Sequence, residues 1–264
     1  MLPGMIAIIS GVTTAPEGQQ VFTANDSFVV PAGVTSISAL CVGHGGQGFF
    51  DGTDQASGGR GGDLRYAITL AVTPGETLTI TVPGYSGNTT TPVSIKRSTT
   101  TLLAAACGRY NTLTAGTSST IGGNIGGGDG GSGQTIGPVG SSQVMSGGGA
   151  GGYSGNGGAG NRSGDGASGS GGGGGGGRIG GAGGGVGLLG AGSNGAGGVS
   201  GSIGGKGGSS GTDGQGSVSV NNNGGVYGGA SNRTGFGSGT PGGGAVRIIW
   251  GTGRAYPSTG TADV

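Results

Sequence analysis

The chain has 264 residues, of which 79 are glycine and only 8% are charged, with a formal net charge of +1. Its 31% of apolar residues cluster in the first 115 positions and near the end, enough for one modest core and too few for the large core of a typical enzyme. No basic block exists to neutralise phosphates, which argues against a nucleic-acid partner. No run approaches the roughly 20 apolar residues that span a bilayer, which argues against membrane insertion.

The opening stretch, Met1 to Ser10, is apolar but lacks the basic flank of a signal peptide. It reads as a strand or an attachment arm, within an N-terminal arm segment covering residues 1–19. Strong β-signals begin at Gln20, and residues 20–115 are expected to form a β-sandwich core. Val30 leads into a turn at Pro31-Ala-Gly33. In the stretch 34–42 both faces carry apolar residues, as in a strand covered on each side. The stretches 64–72 and 76–82 flank Thr73-Pro74-Gly75, where Pro74 presets φ and Gly75 takes the positive φ of a type II turn. Residues 93–96 and 101–106 add one or two strands. Cys41 and Cys107 each end an apolar stretch; they are either a disulfide between neighbouring strands or two buried thiols.

From 116 to 244 glycine dominates, with 59 of the 79 glycines. Gly192, Gly195, Gly198, Gly201, Gly204 and Gly207 recur every third residue, the period of a polyproline-II helix. Collagen is excluded, because the repeat slips register and no proline occurs between Val139 and Thr240. A flexible Gly/Ser coil is the plain alternative. Against it stands the ending Ala245-Val-Arg-Ile-Ile-Trp250, a strand with Val246, Ile248 and Trp250 on one face and no nearby partner. Its return to the N-terminal sheet pins both ends of the block. The expected fold is therefore all-β: a small antiparallel sandwich closed by the segment 245–264, with a long insertion packed as polyproline-II-type strands.

Few residues carry a chemical signal. Matches to G-x-G-x-x-G mean nothing at this glycine density. Gly58-Gly-Arg-Gly-Gly-Asp63 fits the opening of a calcium-binding repeat but occurs once. His44 is the one histidine, and the sequence places no triad or metal partner beside it. Asp51, Asp54 and Asp63 read as a solvated loop. No catalytic residue, cofactor site or metal site is expected. The side chains that interrupt the glycines are the candidates for recognition: Tyr153, Asn222, Tyr227, Arg233 and Phe236. Tyrosine supplies contact area with little entropy loss and asparagine supplies adaptable hydrogen bonds. Packing of Tyr227 and Phe236 onto the β-core is the competing reading.

The string Phe28 to Ala39, the hairpin Val72 to Val82, the glycine block and the ending Gly242-Gly-Gly-Ala-Val-Arg-Ile-Ile-Trp-Gly251 with Gly253-Arg-Ala-Tyr-Pro-Ser-Thr259 resemble the glycine-rich domain of tailed-bacteriophage virion proteins. The resemblance covers about residues 20–260. It implies a non-enzymatic tail-fibre or tail-tip protein, assembled in the host cytoplasm and carried on the virion. Its partners would be other virion proteins, further copies of itself (a trimer is one option) and a host glycan or outer-membrane protein. A head, neck or tail decoration protein without receptor binding is the alternative.

Overall fold

The computed structural model describes residues 16–50, 56–85, 91–109, 125–136, 144–161, 163–178, 180–200, 203–216, 222–234 and 237–264. These residues are all-β, and no helix occurs among them. Two antiparallel sheets form the sandwich. One has five strands in the order β1 (Gly18–Phe22), β14 (Ala245–Trp250), β3 (Ser36–Val42), β6 (Leu64–Ala71) and β10 (Ile125–Gly126). The other has four, in the order β2 (Asp26–Val29), β7 (Thr77–Thr81), β8 (Val93–Arg97) and β9 (Thr100–Ala105).

The side-chain alternation explains how they pack. Phe28, Leu78, Ile80, Ile95 and Leu103 face Ile37, Ala39, Cys41, Val246 and Ile248 across the sandwich, and all are buried. Trp250 packs against the edge of this core, its ring 5.5 Å from that of Phe28. The opposite face of the five-stranded sheet carries Leu40, Val42, Leu64, Ala245 and Ile249. That face is covered by Ala150, Tyr153, Val186, Leu188 and Tyr256. Burial on both sides accounts for the two-faced apolar content of the stretch 34–42.

The closing strand takes a central place. β14 pairs antiparallel with β1 through Val21↔Arg247 and with β3 through Leu40↔Arg247. β1 itself begins at Gly18, inside the segment expected to be an arm, and residues 1–15 of that arm lie outside the described residues. The Pro74–Gly75 turn has the expected geometry, with Gly75 at φ of 81° and the Glu76 N–H donating to the Thr73 carbonyl at 3.0 Å. It does not close a hairpin, however. It carries the chain from β6 in one sheet to β7 in the other, because β6 pairs with β3 and β10 and β7 with β2 and β8.

The described residues of the glycine block form a hydrogen-bonded bundle of extended strands. The seven-glycine run 171–177 shows its logic. Gly173 and Gly176 donate to Ala150 and Gly147, at 3.1 and 2.9 Å. Gly174 and Gly177 donate to Lys206 and Ile203, at 2.9 and 3.1 Å. Gly175 and Arg178 donate to Ala167 and Gly164, both at 2.9 Å. Partners thus rotate through three neighbours with period three, the geometry of a helix with three residues per turn. The carbonyls of the same run accept from three further strands, through Gly195 and Gly198, Gly158 and Asn161, and Gly184. One strand therefore lies within six, and the N–H groups of residues 173–178 all find the partners that buried backbone requires.

This packing dictates the composition. A Cβ on Gly173, Gly174, Gly175 or Gly176 would fall on the carbonyl of Gly184, Ala196, Ala159 or Gly181, respectively. The bundle also starts earlier in the chain than the composition suggests. Residues 43–48, 57–63 and 106–109 belong to it, as in Gly46 N to Arg60 O at 2.7 Å and Gly108 N to His44 O at 2.7 Å.

Candidate functional site

Two ends of the bundle can meet another molecule. Strand 43–48 leaves β3 and strand 57–63 enters β6, so the near end abuts the five-stranded sheet. At the far end β4 (Phe49–Phe50), β5 (Ala56–Ser57) and β11 (Thr135–Ile136) form a three-stranded sheet. Beside it β12 (Arg233–Thr234) pairs with β13 (Gly237–Ser238).

The structure separates the four recognition candidates that lie among the described residues. Tyr153 is buried at the near end, its ring 6.0 Å from Tyr66 and 6.1 Å from Tyr256. Its hydroxyl donates to the Gly187 carbonyl at 2.9 Å. Burial and the neighbouring Tyr256 hold that phenol well above its ordinary pKa. Asn222 is buried at the far end, where its Nδ2 donates to the Gly180 carbonyl at 2.7 Å and its N–H donates to Asn232 Oδ1 at 2.8 Å. Both side chains are spent on internal bonds, which removes them from any contact surface. Arg233 is half-buried at the far end, its backbone bridged to Met145, and burial lowers its pKa. Phe236 lies outside the described residues.

Tyr227 is the candidate that reaches a groove. It is half-buried, and its backbone exchanges hydrogen bonds with Val186 at 2.9 and 3.1 Å. The groove lies between β1 and the near-end turns, with a volume of about 280 Å³. Its walls are Val21, Leu189, Val226 and Tyr227, with Ser210, Thr212 and Asp263 as polar neighbours. Val21, Leu189 and Val226 are 45%, 49% and 42% exposed.

Arg247 forms the floor of this groove, a place that the sequence pattern does not reveal. Alternation places it opposite Val246 and Ile248, on the face toward the bundle, and it is fully buried. Its Nη1 donates to the Leu188 carbonyl at 3.2 Å, the Tyr256 hydroxyl at 3.0 Å and the Thr261 carbonyl at 2.6 Å. Its Nη2 reaches Asp263 Oδ1 at 3.0 Å. The arginine thus ties the tail and the turn at Leu188 to the central strand. Arg254 adds a second tie, with Nη1 donating to the Gly18 carbonyl at 2.6 Å. The one advance signal is the pair of arginines in the ending Ala-Val-Arg-Ile-Ile-Trp and Gly-Arg-Ala-Tyr.

Gly58 to Asp63 turns its carboxylate toward arginines. Asp63 is fully buried and faces Arg60 at 3.0 Å and Arg65 at 3.6 Å. It also accepts from the Gly130 N–H at 2.9 Å. Two guanidinium groups already balance its charge, so a cation would have to displace them. Arg65 also pairs with Asp129. His44 is buried at the near end, with Nδ1–H donating to the Gly45 carbonyl at 2.8 Å and its ring edge-on to Tyr85 at 5.7 Å. Burial pushes its pKa down.

Fold and groove define a β-sandwich carrying a hydrogen-bonded glycine bundle. No family model matches the chain, and no curated protein is significantly similar to it. No helix among the described residues is long and apolar enough to cross a membrane.

Proposed function

We propose that this chain is a non-enzymatic structural protein of a bacteriophage virion, a tail-fibre or tail-tip component that contacts the host surface. The observation that carries the reading is the six-neighbour packing of the run 171–177. It makes a stiff, charge-poor body whose strands end in turns at two faces, while the sandwich ties both chain ends of the bundle to one core. Rigid scaffolds that display short turns are a common way to build recognition surfaces. The resemblance of the closing sequence to glycine-rich virion proteins supports the same reading. Further copies of the chain and other virion proteins are its natural neighbours in such a particle.

The test is localisation and attachment. Gold-labelled antibody against the chain should mark the tips of tail fibres in electron micrographs, and purified protein should compete with particles for host cells. Labelling of the head or neck without competition would instead favour a decoration role. Absence from purified particles would overturn both.

A further inference from the structure

We propose that the groove between β1 and the near-end turns is a subsite for one neutral sugar ring. This deepens the host-contact reading and rests on it for the source of the sugar. The walls supply a half-buried tyrosine ring and three aliphatic side chains, Val21, Leu189 and Val226. Such surfaces match the C–H faces of a pyranose. The rim supplies the hydroxyl of Ser210 and the carboxylate of Asp263, which match its O–H groups, while the Thr212 hydroxyl accepts from the Val226 N–H and fixes the wall.

Asp263 is the informative residue. It is 69% exposed, yet Arg247 beneath it is wholly buried and grips Oδ1 at 3.0 Å. The guanidinium is itself fixed by Leu188, Tyr256 and Thr261. A carboxylate held in this way is a pre-positioned acceptor at the mouth of an apolar cleft. An occupant without hydrogen-bond donors would strip water from that carboxylate without replacing its hydrogen bonds. An acidic sugar would meet it as a like charge. A ring bearing hydroxyls satisfies both halves of the groove. The volume, about 280 Å³, lies near the lower limit of roughly 300 Å³ for small-molecule sites, which suits one ring rather than a chain of them.

The experiment is saturation-transfer NMR and calorimetry on the full chain with methyl glycosides of neutral hexoses, deoxyhexoses and N-acetylhexosamines. Methyl uronates serve as the charged comparison. At least one neutral glycoside should bind saturably at millimolar concentration, and the uronates should not. Leu189→Trp, which fills the groove from an exposed position, and Tyr227→Ala should each weaken binding about tenfold or more, equivalent to about 1.4 kcal/mol. Thermal melts of both variants establish that they remain folded, and each serves as a check on the other. No saturable binding by any neutral glycoside overturns the inference, as does binding that both folded variants retain. Host-cell competition separates the two levels. If no neutral glycoside binds while far-end substitutions abolish competition, the host-contact reading stands and the sugar subsite falls.

Discussion

The carbonyl of Ala196 occupies the place where a Cβ on Gly174 would project. Gly174 also donates to Lys206 and accepts from Gly184, both at 2.9 Å, so neither side can retreat without breaking ladder bonds. Gly174→Ala should therefore destabilise the protein by about 3 kcal/mol, the upper range for overpacking. Gly84 is the control, because no heavy atom lies within 4 Å of the place its Cβ would take. Gly84→Ala should be neutral or stabilising by about 0.4–1 kcal/mol, through reduced freedom of the unfolded chain. Denaturant melts of the two variants measure the contrast.

The glycine-rich segment should not fold by itself. Gly148 and Gly151 donate to the carbonyls of Gly59 and Gly62, at 3.0 and 2.8 Å, and these acceptors lie outside the segment 116–244. In return Gly59 and Gly62 donate to Ser231 and Gly228, at 3.2 and 2.8 Å, so the strand leading into β6 holds the bundle from both sides. A fragment of 116–244 is expected to give a collapsed, poorly dispersed amide NMR spectrum. A well-dispersed one would show that the bundle needs no clamp.

Acid should loosen the near end. His44 has an ordinary pKa of 6.5, and burial pushes it lower in the folded chain. The unfolded state therefore binds the extra proton first as pH falls, and linkage makes stability drop below 6.5 while leaving it whole above. His44 is the single histidine, so a slope between about pH 7 and 5.5 belongs to it. Urea melts across that range should show the slope in the parent and lose it in His44→Gln. An unchanged slope in the variant would refute the assignment.

The two thiols should be silent in the folded chain. Cys41 and Cys107 are both free and buried. Burial raises the Cys41 pKa and pushes that of Cys107 up to about 11, so neither offers thiolate at neutral pH. A chromogenic disulfide reagent should titrate none in native buffer and both in denaturant. A native titre of one or two would place a thiol at the surface.

Much of the sandwich is legible in the sequence because its strands alternate. The doubly covered stretch 34–42 and the face of Val246, Ile248 and Trp250 follow from period two. The turn at Pro74–Gly75 is legible too, but the hairpin it suggests is not formed, because alternation does not say which sheet each flanking strand joins. The period-three glycines likewise indicate strands with three residues per turn. The extent of the bundle is less legible. Residues 43–48 and 57–63 mix Gly with His, Gln, Arg and Asp, which reads as a loop until neighbouring strands supply its hydrogen bonds. Buried charge is hidden for a related reason. Asp63 reads as part of a solvated loop, and its partners Arg60, Arg65 and Gly130 make burial tolerable, as Leu188, Tyr256, Thr261 and Asp263 do for Arg247. Tyr153 and Asn222 read as outward-facing because the glycines around them give no sign of which side is covered.

Amide hydrogen exchange over residues 171–178 tests the packing of the glycine block most directly. Six neighbouring strands bond this run, so its amides should exchange only through large-scale opening, with protection approaching that of β14. Exchange of these amides at the rate of an unstructured peptide, while β14 stays protected, would contradict the bundle and return the block to flexible coil.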